Sequence, residues 1–531
     1  MEYLYDKLMK YSKSDFYPLH MPGHKRNRDI TGGILPYAFD ITEIEGFDDL
    51  HHASGILLEA QSRAASIYHA EETHFLINGS TAGLLSAVLG SVPRHGRILM
   101  ARNCHKSVYN AVYMGELHPL YVYPKFDPET ELNGEILPED VESILEENPE
   151  IQAVVITSPT YDGVVSDVER IAQIVHRKNI PLIVDEAHGA HFGFHPYFPE
   201  NSNMKGADIV IHSLHKTMPS LTQTALLHIN GQKADRENIR RYLHMIQTSS
   251  PSYILMTSMD ECIRMVMERG EELFKNYAGL LKKTRAELAG LKKLRLIESG
   301  DPEQGQYDRS KIVISGKDLI RSCMEKNEVI KGFPAFGGRE LYQVLIREYH
   351  IQPEMAAGSY IVAMTGPGDT EAGLRRFVNA VMELDGELEK TDGEIGSADS
   401  MAKKQEIICT SWEAELLRSS GMETEMVPWE DAAGRIAMEF VYLYPPGIPL
   451  IVPGEKIGRD TVAQIKVYAK KGFTIGGTRI QGKTEVMKNE ENILPDGEEL
   501  FGKRYHIQKT EGKISSDSHG CSIYDETYSR E

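Results

Sequence analysis

The strongest candidate for chemistry is a lysine that directly follows an apolar run rich in β-branched residues. The run ADIVIHS, residues 207–213, leads through Leu214 and His215 to Lys216, and Pro219 prevents an immediate return to regular structure. Ligands of open α/β sheets bind at the carboxyl ends of the strands. A partly desolvated lysine loses its proton readily there and can attack a carbonyl carbon. Lys216 is therefore a candidate Schiff-base lysine, and the alternative is a solvated lysine in a loop.

A second candidate is a phosphate cradle after the apolar run HFLI, residues 74–77. The segment NGSTAG, residues 78–83, opens a helix. Gly79 permits a tight turn, and free N–H groups with the hydroxyls of Ser80 and Thr81 can hold a phosphate. An ordinary helix N-cap is the alternative. The glycine spacing matches neither the dinucleotide fingerprint nor the P-loop, which disfavours a nucleotide ligand.

Two more strand ends carry groups that suit a flat, cationic ring. His105 follows the run RILMA, residues 97–101, and an imidazole there can stack on a planar cofactor or remain a hydrogen-bonded loop histidine. Asp185 closes the apolar run IPLIVDE, where a buried carboxylate is costly unless a cation meets it. A protonated pyridine nitrogen is such a cation. With Lys216 and the cradle, these residues predict a pyridoxal 5'-phosphate (PLP) site.

A metal centre is the competing interpretation of the residues after this strand. His188, His191 and His195 lie close in sequence to Asp185 and Glu186. They leave a strand into a glycine-containing loop, where spacing by three or four residues does not align ligands on one face. Because no H-E-x-x-H helix is present either, we predict no metal site.

These residues need a parallel sheet to bring them together, and the sequence from His74 onward has that pattern. Short apolar runs alternate with helical segments, which is typical of βαβ units. A further apolar run follows the lysine, so we predict an α/β fold with a mostly parallel sheet of seven strands: HFLI, RILMA, LYVY, AVVIT, IPLIVDE, ADIVIHS and TALLHI.

The 531 residues allow about three domains. Composition predicts an amino-terminal arm at 1–60, a large domain at 61–295 and a smaller α/β domain at 296–382. An acidic, Gly/Ser-bearing stretch at 383–401 is predicted as a linker. A carboxy-terminal domain follows at 402–509, and residues 510–531 are predicted to be a disordered tail.

Composition also limits the partners. The net charge of −20 disfavours nucleic acid, because it repels phosphate backbones. The five scattered cysteines form no C-x-x-C pair, which indicates a reducing cytoplasm. No apolar run reaches the roughly 18 residues that cross a bilayer, and the amino terminus does not resemble a secretory signal. We therefore predict a cytoplasmic protein without membrane or nucleic-acid partners.

A string of motifs resembles the ornithine/lysine/arginine decarboxylase family of fold-type I PLP enzymes. The motifs are LHMPGHKR, NGSTAG, RNCHKSV, SPTYDGV, VDEAHGAH, GADIVIHSLHKTMPSLTQ and YPPGIP…PGE, between about Tyr3 and about Gly477. The chain most resembles a short bacterial branch, similar to arginine decarboxylases, that lacks the amino-terminal wing domain. The resemblance implies an aspartate aminotransferase-like sheet domain, a smaller α/β domain and a carboxy-terminal α+β domain. It also implies a homodimer or larger homo-oligomer with active sites at the subunit interface.

The resemblance also assigns roles to individual residues. Lys216 matches the Schiff-base lysine, Asp185 the partner of the pyridine nitrogen and His105 the stacking histidine. His188 is expected beside the ring near the reacting carbon, where it or Lys216 could act as general acid. The phosphate binders are expected to be Ser80, Thr81, Ser213 and His215, and Thr160 with Tyr161 is expected near the cofactor's phenolic oxygen.

The implied activity is decarboxylation of a basic L-amino acid, with arginine giving agmatine for polyamine biosynthesis. A basic side chain requires a carboxylate, and the candidates are Glu354, Glu45 and Asp48. The alternatives are lysine or ornithine as substrate, an aminotransferase or β-eliminating lyase of the same fold, and a non-catalytic PLP-binding regulator.

Overall fold

The computed structural model describes residues 15, 17–19, 48–300, 305–321, 336–390, 404–444, 448–470 and 474–488. Most of the predicted arm, including Glu45, lies outside the described residues. Residues 391–401 of the predicted linker, residues 402–403 and 489–509 of the predicted carboxy-terminal domain, and the whole predicted tail also lie outside them. Within the described ranges, no helix is both long enough and apolar enough to span a bilayer.

The described elements alternate between strands and helices through the first half of the chain. The helices are α1 (Ile56–Ile67), α2 (Gly79–Ser91), α3 (Lys106–Met114), α4 (Pro138–Glu147), α5 (Val168–Arg177), α6 (Leu214–Thr217), α7 (Arg236–Ile246), α8 (Tyr253–Leu288), α9 (Gly338–Arg347), α10 (Glu371–Glu387), α11 (Ser411–Ser419) and α12 (Arg459–Lys470). The strands are β1 (Tyr17–Leu19), β2 (Glu72–Leu76), β3 (Arg97–Ala101), β4 (His118–Val122), β5 (Phe126–Asp127), β6 (Leu132–Asn133), β7 (Ile151–Thr157), β8 (Leu182–Asp185), β9 (Ile209–His212), β10 (Ala225–Ile229), β11 (Arg295–Ile297), β12 (Lys311–Ser315), β13 (Leu319–Arg321), β14 (Ile351–Pro353), β15 (Met355–Ala357), β16 (Tyr360–Met364), β17 (Leu388–Lys390), β18 (Glu406–Ile407), β19 (Thr424–Pro428), β20 (Val441–Tyr444), β21 (Ile448–Ile451), β22 (Glu455–Lys456), β23 (Thr474–Gly476) and β24 (Lys483–Met487).

The large domain contains the predicted seven-stranded sheet, in the order β2-β10-β9-β8-β7-β3-β4. Strand β10 pairs antiparallel with β2 and β9, and the remaining pairs are parallel. Strands β8 and β9 are buried along their whole length, as expected for a sheet with helices on both faces. The fold prediction, a mostly parallel fold-type I sheet, is confirmed.

Close helix packing holds the start of the site against this sheet. Helix α2, which begins at the predicted phosphate cradle, packs against α3 and α7. A side chain at Gly90 would put its Cβ within 2.8 Å of the Ile239 Cα, so α2 and α7 approach more closely than any other residue type would allow.

The smaller domain has an antiparallel sheet in the order β11-β12-β16-β15, and α8 packs against α10. Helix α10 continues to Glu387, and β17 pairs with β13, so the predicted linker start at residue 383 was wrong. The acidic composition of this segment is typical of a linker, but the segment contains Leu384 and Leu388, which are fully buried. The boundary predicted at residue 60 likewise falls inside α1, which begins at Ile56.

The carboxy-terminal region, residues 404–488 within the described ranges, combines two helices with short antiparallel strands. Strand β20 lies between β21 and β23, β19 pairs with β24, and β18 pairs with β22. A small apolar core that includes Trp429, Val441, Ile451 and Ile465 holds these elements together. This region is the predicted α+β domain.

Candidate active site

A cavity of about 730 Å3 lies at the carboxyl edge of the large sheet. It collects side chains from the segments after six strands of the large sheet, from the smaller domain and from the carboxy-terminal region. The sequence-predicted site residues that line it are Gly79, Ser80, Thr81, His105, Thr160, Tyr161, Asp185, His188, Ser213, His215, Lys216 and Glu354.

Lys216 lies in the one-turn helix α6, which follows β9 directly. Its Nζ is 2.9 Å from the Nε2 atom of His188. Burial lowers the pKa of Lys216, and the nearby carboxylates of Asp185 and Glu354 oppose part of that change. A lysine whose pKa is lowered supplies more of the neutral amine, the form that attacks a carbonyl carbon.

His188 is the hydrogen-bond partner of that amine. The side chain is only 6% exposed, and burial, reinforced by the positive charge of Lys216, holds its pKa well below the usual range. Its ring centroid lies 4.5 Å from that of Tyr161. The buried Nδ1 atom has no hydrogen-bond partner among the described residues. His188 is therefore a neutral base beside Lys216.

A buried ion cluster fixes the backbone of His188. The fully buried Lys311, at the start of β12, donates to the His188 carbonyl oxygen at 3.0 Å and to Asp308 Oδ2 at 2.5 Å. The other Asp308 oxygen is 3.0 Å from His191 Nε2. The loop after β8 is thus attached to the smaller domain. No group of three metal-ligating side chains is found in the described part of the chain.

Asp185 ends β8 and is 3% exposed. One carboxylate oxygen accepts the Ala187 backbone N–H at 3.2 Å. Burial raises the pKa of Asp185, and the Lys216 charge opposes that shift. Burial thus disfavours the ionised form of this carboxyl group, and a cation in contact with it would restore the ionised form. A protonated ring nitrogen would be such a cation.

Hydroxyl groups from three elements meet at the amino terminus of the 13-residue helix α2. Gly79 has a φ of +73°, which permits the turn into that helix. The Ser80 and Ser213 hydroxyls are hydrogen bonded to each other, and Thr81 Oγ1 is 3.0 Å from Ser107 Oγ. Helix dipole, free N–H groups and hydroxyls together form an anion site that suits a phosphate group.

Two histidines border this anion site as neutral rings. His105 caps α3, and its Nδ1 accepts the Ser107 backbone N–H at 3.3 Å. His215 donates from Nδ1 to the Thr224 carbonyl oxygen at 2.8 Å. Burial lowers the pKa of each to about 4, so neither carries a charge at neutral pH. A neutral imidazole at position 105 is suited to stacking on an aromatic ring.

The predicted substrate carboxylates differ in location. Glu354 lines the cavity and accepts a hydrogen bond from the Tyr161 hydroxyl. The Asp48 carboxylate instead accepts backbone N–H groups of Ser54, Gly55 and Leu57, and it does not line the cavity of its own chain. Glu45 lies outside the described residues.

Sequence reasoning missed the contribution of the carboxy-terminal region. Arg102, just before the predicted stacking histidine, donates to the Pro449 carbonyl at 2.7 Å and pairs with Glu455 at 3.2 Å. Both charged side chains are 2% exposed. Leu443 and Ile448 add an apolar wall to the cavity. The motif YPPGIP…PGE supplies these contacts, but nothing in its spacing identifies Arg102 as the partner.

Asp162, Tyr360 and Glu131 also line the cavity and were not predicted. Asp162 lies in the motif SPTYDGV, in which the sequence predicts a role only for the preceding threonine and tyrosine. Tyr360 begins a strand with the apolar pattern YIVAM, which is typical of a core element. A polar group whose partner comes from another domain leaves no local signal in the sequence.

Comparisons with known proteins agree with this architecture. The family model for the Orn/Lys/Arg decarboxylase major domain matches residues 3–311, and the model for the carboxy-terminal domain matches residues 399–477. A Bacillus anthracis protein named arginine decarboxylase is 30% identical over 89% of this chain and 94% of its own length. The constitutive lysine decarboxylase of Escherichia coli is 26% identical over 49% of this chain and 39% of its own length.

Solved structures show the same fold. The lysine decarboxylase of Francisella novicida superposes with a TM-score of 0.67 at 20% identity, covering 91% of this chain and 80% of that one. Members of the Orn/Lys/Arg decarboxylase family are PLP-dependent enzymes. Because the major-domain model covers more than half of the sequence, the chain belongs to the Orn/Lys/Arg decarboxylase family.

Proposed function

We propose that this protein is a PLP-dependent decarboxylase of a basic L-amino acid, with arginine as substrate and agmatine and CO2 as products. The single observation that carries the proposal is the Lys216 amine at the carboxyl end of β9. It lies 2.9 Å from a neutral histidine in the cavity that Asp185 also lines. Full-length relatives in Bacillus that are named arginine decarboxylase support arginine over lysine or ornithine.

The side chains around the cavity suit PLP. Lys216 would hold the aldehyde carbon, Asp185 the protonated ring nitrogen, and His105 one face of the ring. The anion site formed by Ser80, Thr81, Ser213 and His215 would hold the phosphate. When bound, PLP supplies an electron-accepting ring that stabilises the charge left on the α-carbon as CO2 departs.

The protein's own contribution is to exclude water and to move one proton. Apolar side chains of the carboxy-terminal region limit solvation of the substrate carboxylate, and loss of that solvation favours release of neutral CO2. The Lys216 Nζ and His188 Nε2 atoms are within hydrogen-bond distance, so a proton on either one can be delivered at the same position. Both therefore remain candidates for the general acid.

Recognition of a basic side chain is supported by the carboxylates of the cavity. Glu354 is a candidate for binding that side chain, since its charge acts on the Lys216 amine and its carboxylate accepts a hydrogen bond from Tyr161. An arginine, lysine or ornithine side chain can form a charge-assisted hydrogen bond to it.

The test is a competition assay with the purified protein. The protein, loaded with PLP, is incubated with equal concentrations of arginine, lysine and ornithine, and the amine and CO2 are quantified. We expect agmatine with an equal amount of CO2. A keto acid without CO2 would instead indicate an aminotransferase, and the absence of product from all three amino acids would overturn the proposal.

The matched variants are Lys216→Ala and Lys275→Ala, the second on the exposed face of α8. We expect Lys216→Ala to lose nearly all turnover together with the visible absorption of covalently bound PLP. Lys275→Ala should retain both. Turnover in Lys216→Ala at the rate of Lys275→Ala would contradict the role of Lys216.

A further inference from the structure

A second buried carboxylate faces the cavity and has no cation to pair with. Asp162 follows Tyr161 in the loop after β7 and is 5% exposed, yet it lines the same cavity as Lys216. Among the described residues, Tyr360 is the one whose side chain donates a hydrogen bond to the Asp162 carboxylate, with a distance of 2.9 Å. Burial raises the pKa of Asp162 to about 6. A buried carboxylate with so few donors is stabilised by a cationic ligand.

The groups around Asp162 do not supply that cation. The phenols of Tyr360 and Tyr307 face it, and burial raises the pKa of both far above neutral, so both stay uncharged. Glu131, close to Tyr360, accepts from Ser359 Oγ at 2.7 Å and forms an ion pair with Lys317 at 3.6 Å. No lysine or arginine in the described ranges forms an ion pair with Asp162. Within the described ranges, Asp162 is therefore the carboxylate of this wall that has no counterion, whereas Glu131 is paired with Lys317.

Asp162 and Glu354 are both anchored to β16. Tyr360, the donor to Asp162, begins this strand, and the Glu354 backbone N–H donates to the Val362 carbonyl oxygen at 2.9 Å. Glu354 also reaches the Lys216 region through Tyr161, whose ring contacts His188. The cavity thus presents two carboxylates that are held through contacts with β16, and the charge of one of them, Glu354, also acts on the Lys216 amine.

We propose that Asp162 and Glu354 together bind the charged end of the substrate side chain, and that Asp162 makes the site selective for a guanidinium group. This inference rests on the proposed function. A guanidinium is planar and has five N–H donors, so it can bond two separate carboxylates at once. The ammonium group of lysine or ornithine is a compact charge that one carboxylate can satisfy.

The first test compares Asp162→Asn with the wild type for arginine and lysine. The substitution keeps the shape and the Tyr360 contact but removes the charge. Loss of a charge-assisted hydrogen bond weakens binding by roughly tenfold to a hundredfold, so we expect KM for arginine to rise by about that factor. The KM for lysine and the visible absorption of bound PLP should change much less. An equal rise for both substrates, or an unchanged KM for arginine, would overturn the selectivity of Asp162.

A pH titration separates this role from a purely structural one. Because only ionised Asp162 binds a cation, the wild-type KM for arginine should rise as the pH falls through about 6. Asp162→Asn should lack that inflection. Tyr360→Phe removes a donor to the ionised carboxylate, so its inflection should move to higher pH. An inflection that is identical in all three proteins would contradict the proposal.

Direct binding of arginine, measured by calorimetry, distinguishes this inference from the proposed function. If the wild type releases no CO2 but binds arginine at least tenfold more tightly than Asp162→Asn, the decarboxylase proposal fails and the binding site stands. If the wild type decarboxylates lysine or ornithine but neither binds nor decarboxylates arginine, the selectivity fails and the decarboxylase proposal stands.

Discussion

Burial shifts the pKa values of the cavity side chains toward their neutral forms. The pKa values of Lys216, His188 and His105 are lowered, and that of Asp185 is raised. The consequence differs between residues, because a neutral lysine is a nucleophile whereas a neutral aspartic acid cannot pair with a cation. Under the proposed function, the protonated ring nitrogen of PLP would stabilise the Asp185 carboxylate, and the carboxylate would stabilise the protonated nitrogen. The two charges stabilise each other only when both are present.

The substitution Asp185→Asn tests this dependence. The amide keeps the shape of the side chain but cannot stabilise a protonated ring nitrogen, so the ring accepts electrons poorly. We expect kcat to fall by on the order of 100-fold or more, as when one preorganised electrostatic group is removed from an active site. PLP affinity, measured by titrating the visible absorption, should fall as well.

Asp208→Asn is the matched control, because Asp208 is equally buried but precedes β9 at the opposite edge of the sheet. Its carboxylate accepts the Leu182 backbone N–H at 2.8 Å and pairs with His176. This variant should lose stability and keep the kcat of its folded fraction. If both variants lose kcat equally, Asp185 acts through the fold and not through the ring.

At the scale of elements, the loop after β8 depends on strand β12. Lys311 is fully buried and joins His188 to Asp308, so Lys311→Met would leave the buried Asp308 carboxylate without its lysine counterion. Removing one member of a buried ion pair costs about 3–5 kcal/mol of unfolding free energy. We expect a loss of that size in urea unfolding and a lower kcat, because the His188 backbone loses its donor. A stable variant with unchanged kcat would exclude a positioning role.

The same cluster predicts how stability changes in acid. Burial alone would raise the pKa of Asp308, but His191 and Lys311 hold it well below the usual range of an aspartate. A carboxyl whose pKa is lower in the folded state contributes stability above its unfolded pKa, and this contribution is lost as the pH falls toward the folded value. The wild type should therefore lose unfolding free energy below about pH 4, and Asp308→Asn should lose less over that interval. Equal pH slopes in urea titrations would contradict the assignment.

The elements of the large domain could be predicted because their signals are local. Each of the seven strands contains a short apolar run, and these runs are largely buried except in the edge strand β4, where only Val122 is buried. The boundary predicted at residue 383 failed for the opposite reason. The acidic surface of α10 resembles a linker, and the buried Leu384 and Leu388 become visible only when α10 packs against its neighbours.

Residues of the site could be predicted only where the functional side chain directly follows a strand. Lys216 and Asp185 follow their strands directly, and parallel strands deliver such ends to one edge. Asp162 and Lys311 depend on partners more than a hundred residues away, Tyr360 for the first and the His188 carbonyl for the second. Such pairs follow from how the domains are packed, which no residue spacing encodes.

At the scale of the whole molecule, the carboxy-terminal region completes the cavity of the large domain. Arg102 joins the two through Glu455 and the Pro449 carbonyl, and it lies only three residues before His105. Burial raises the pKa of Glu455, and Arg102 opposes that change. The ion pair therefore couples the position of the apolar cavity wall to the loop that carries the predicted stacking histidine.

This coupling predicts a large effect for Glu455→Gln and a small one for Glu406→Gln. The first substitution leaves the buried Arg102 charge without a counterion, which costs about 3–5 kcal/mol, whereas the exposed pair of Glu406 with Lys456 contributes at most about 1 kcal/mol. Urea unfolding should separate the two variants by that difference. Glu455→Gln should also lower kcat, because a displaced wall admits water around the substrate carboxylate and that solvation disfavours release of CO2. If the two variants unfold at the same urea concentration with the same kcat, the carboxy-terminal region does not depend on this pair to close the cavity.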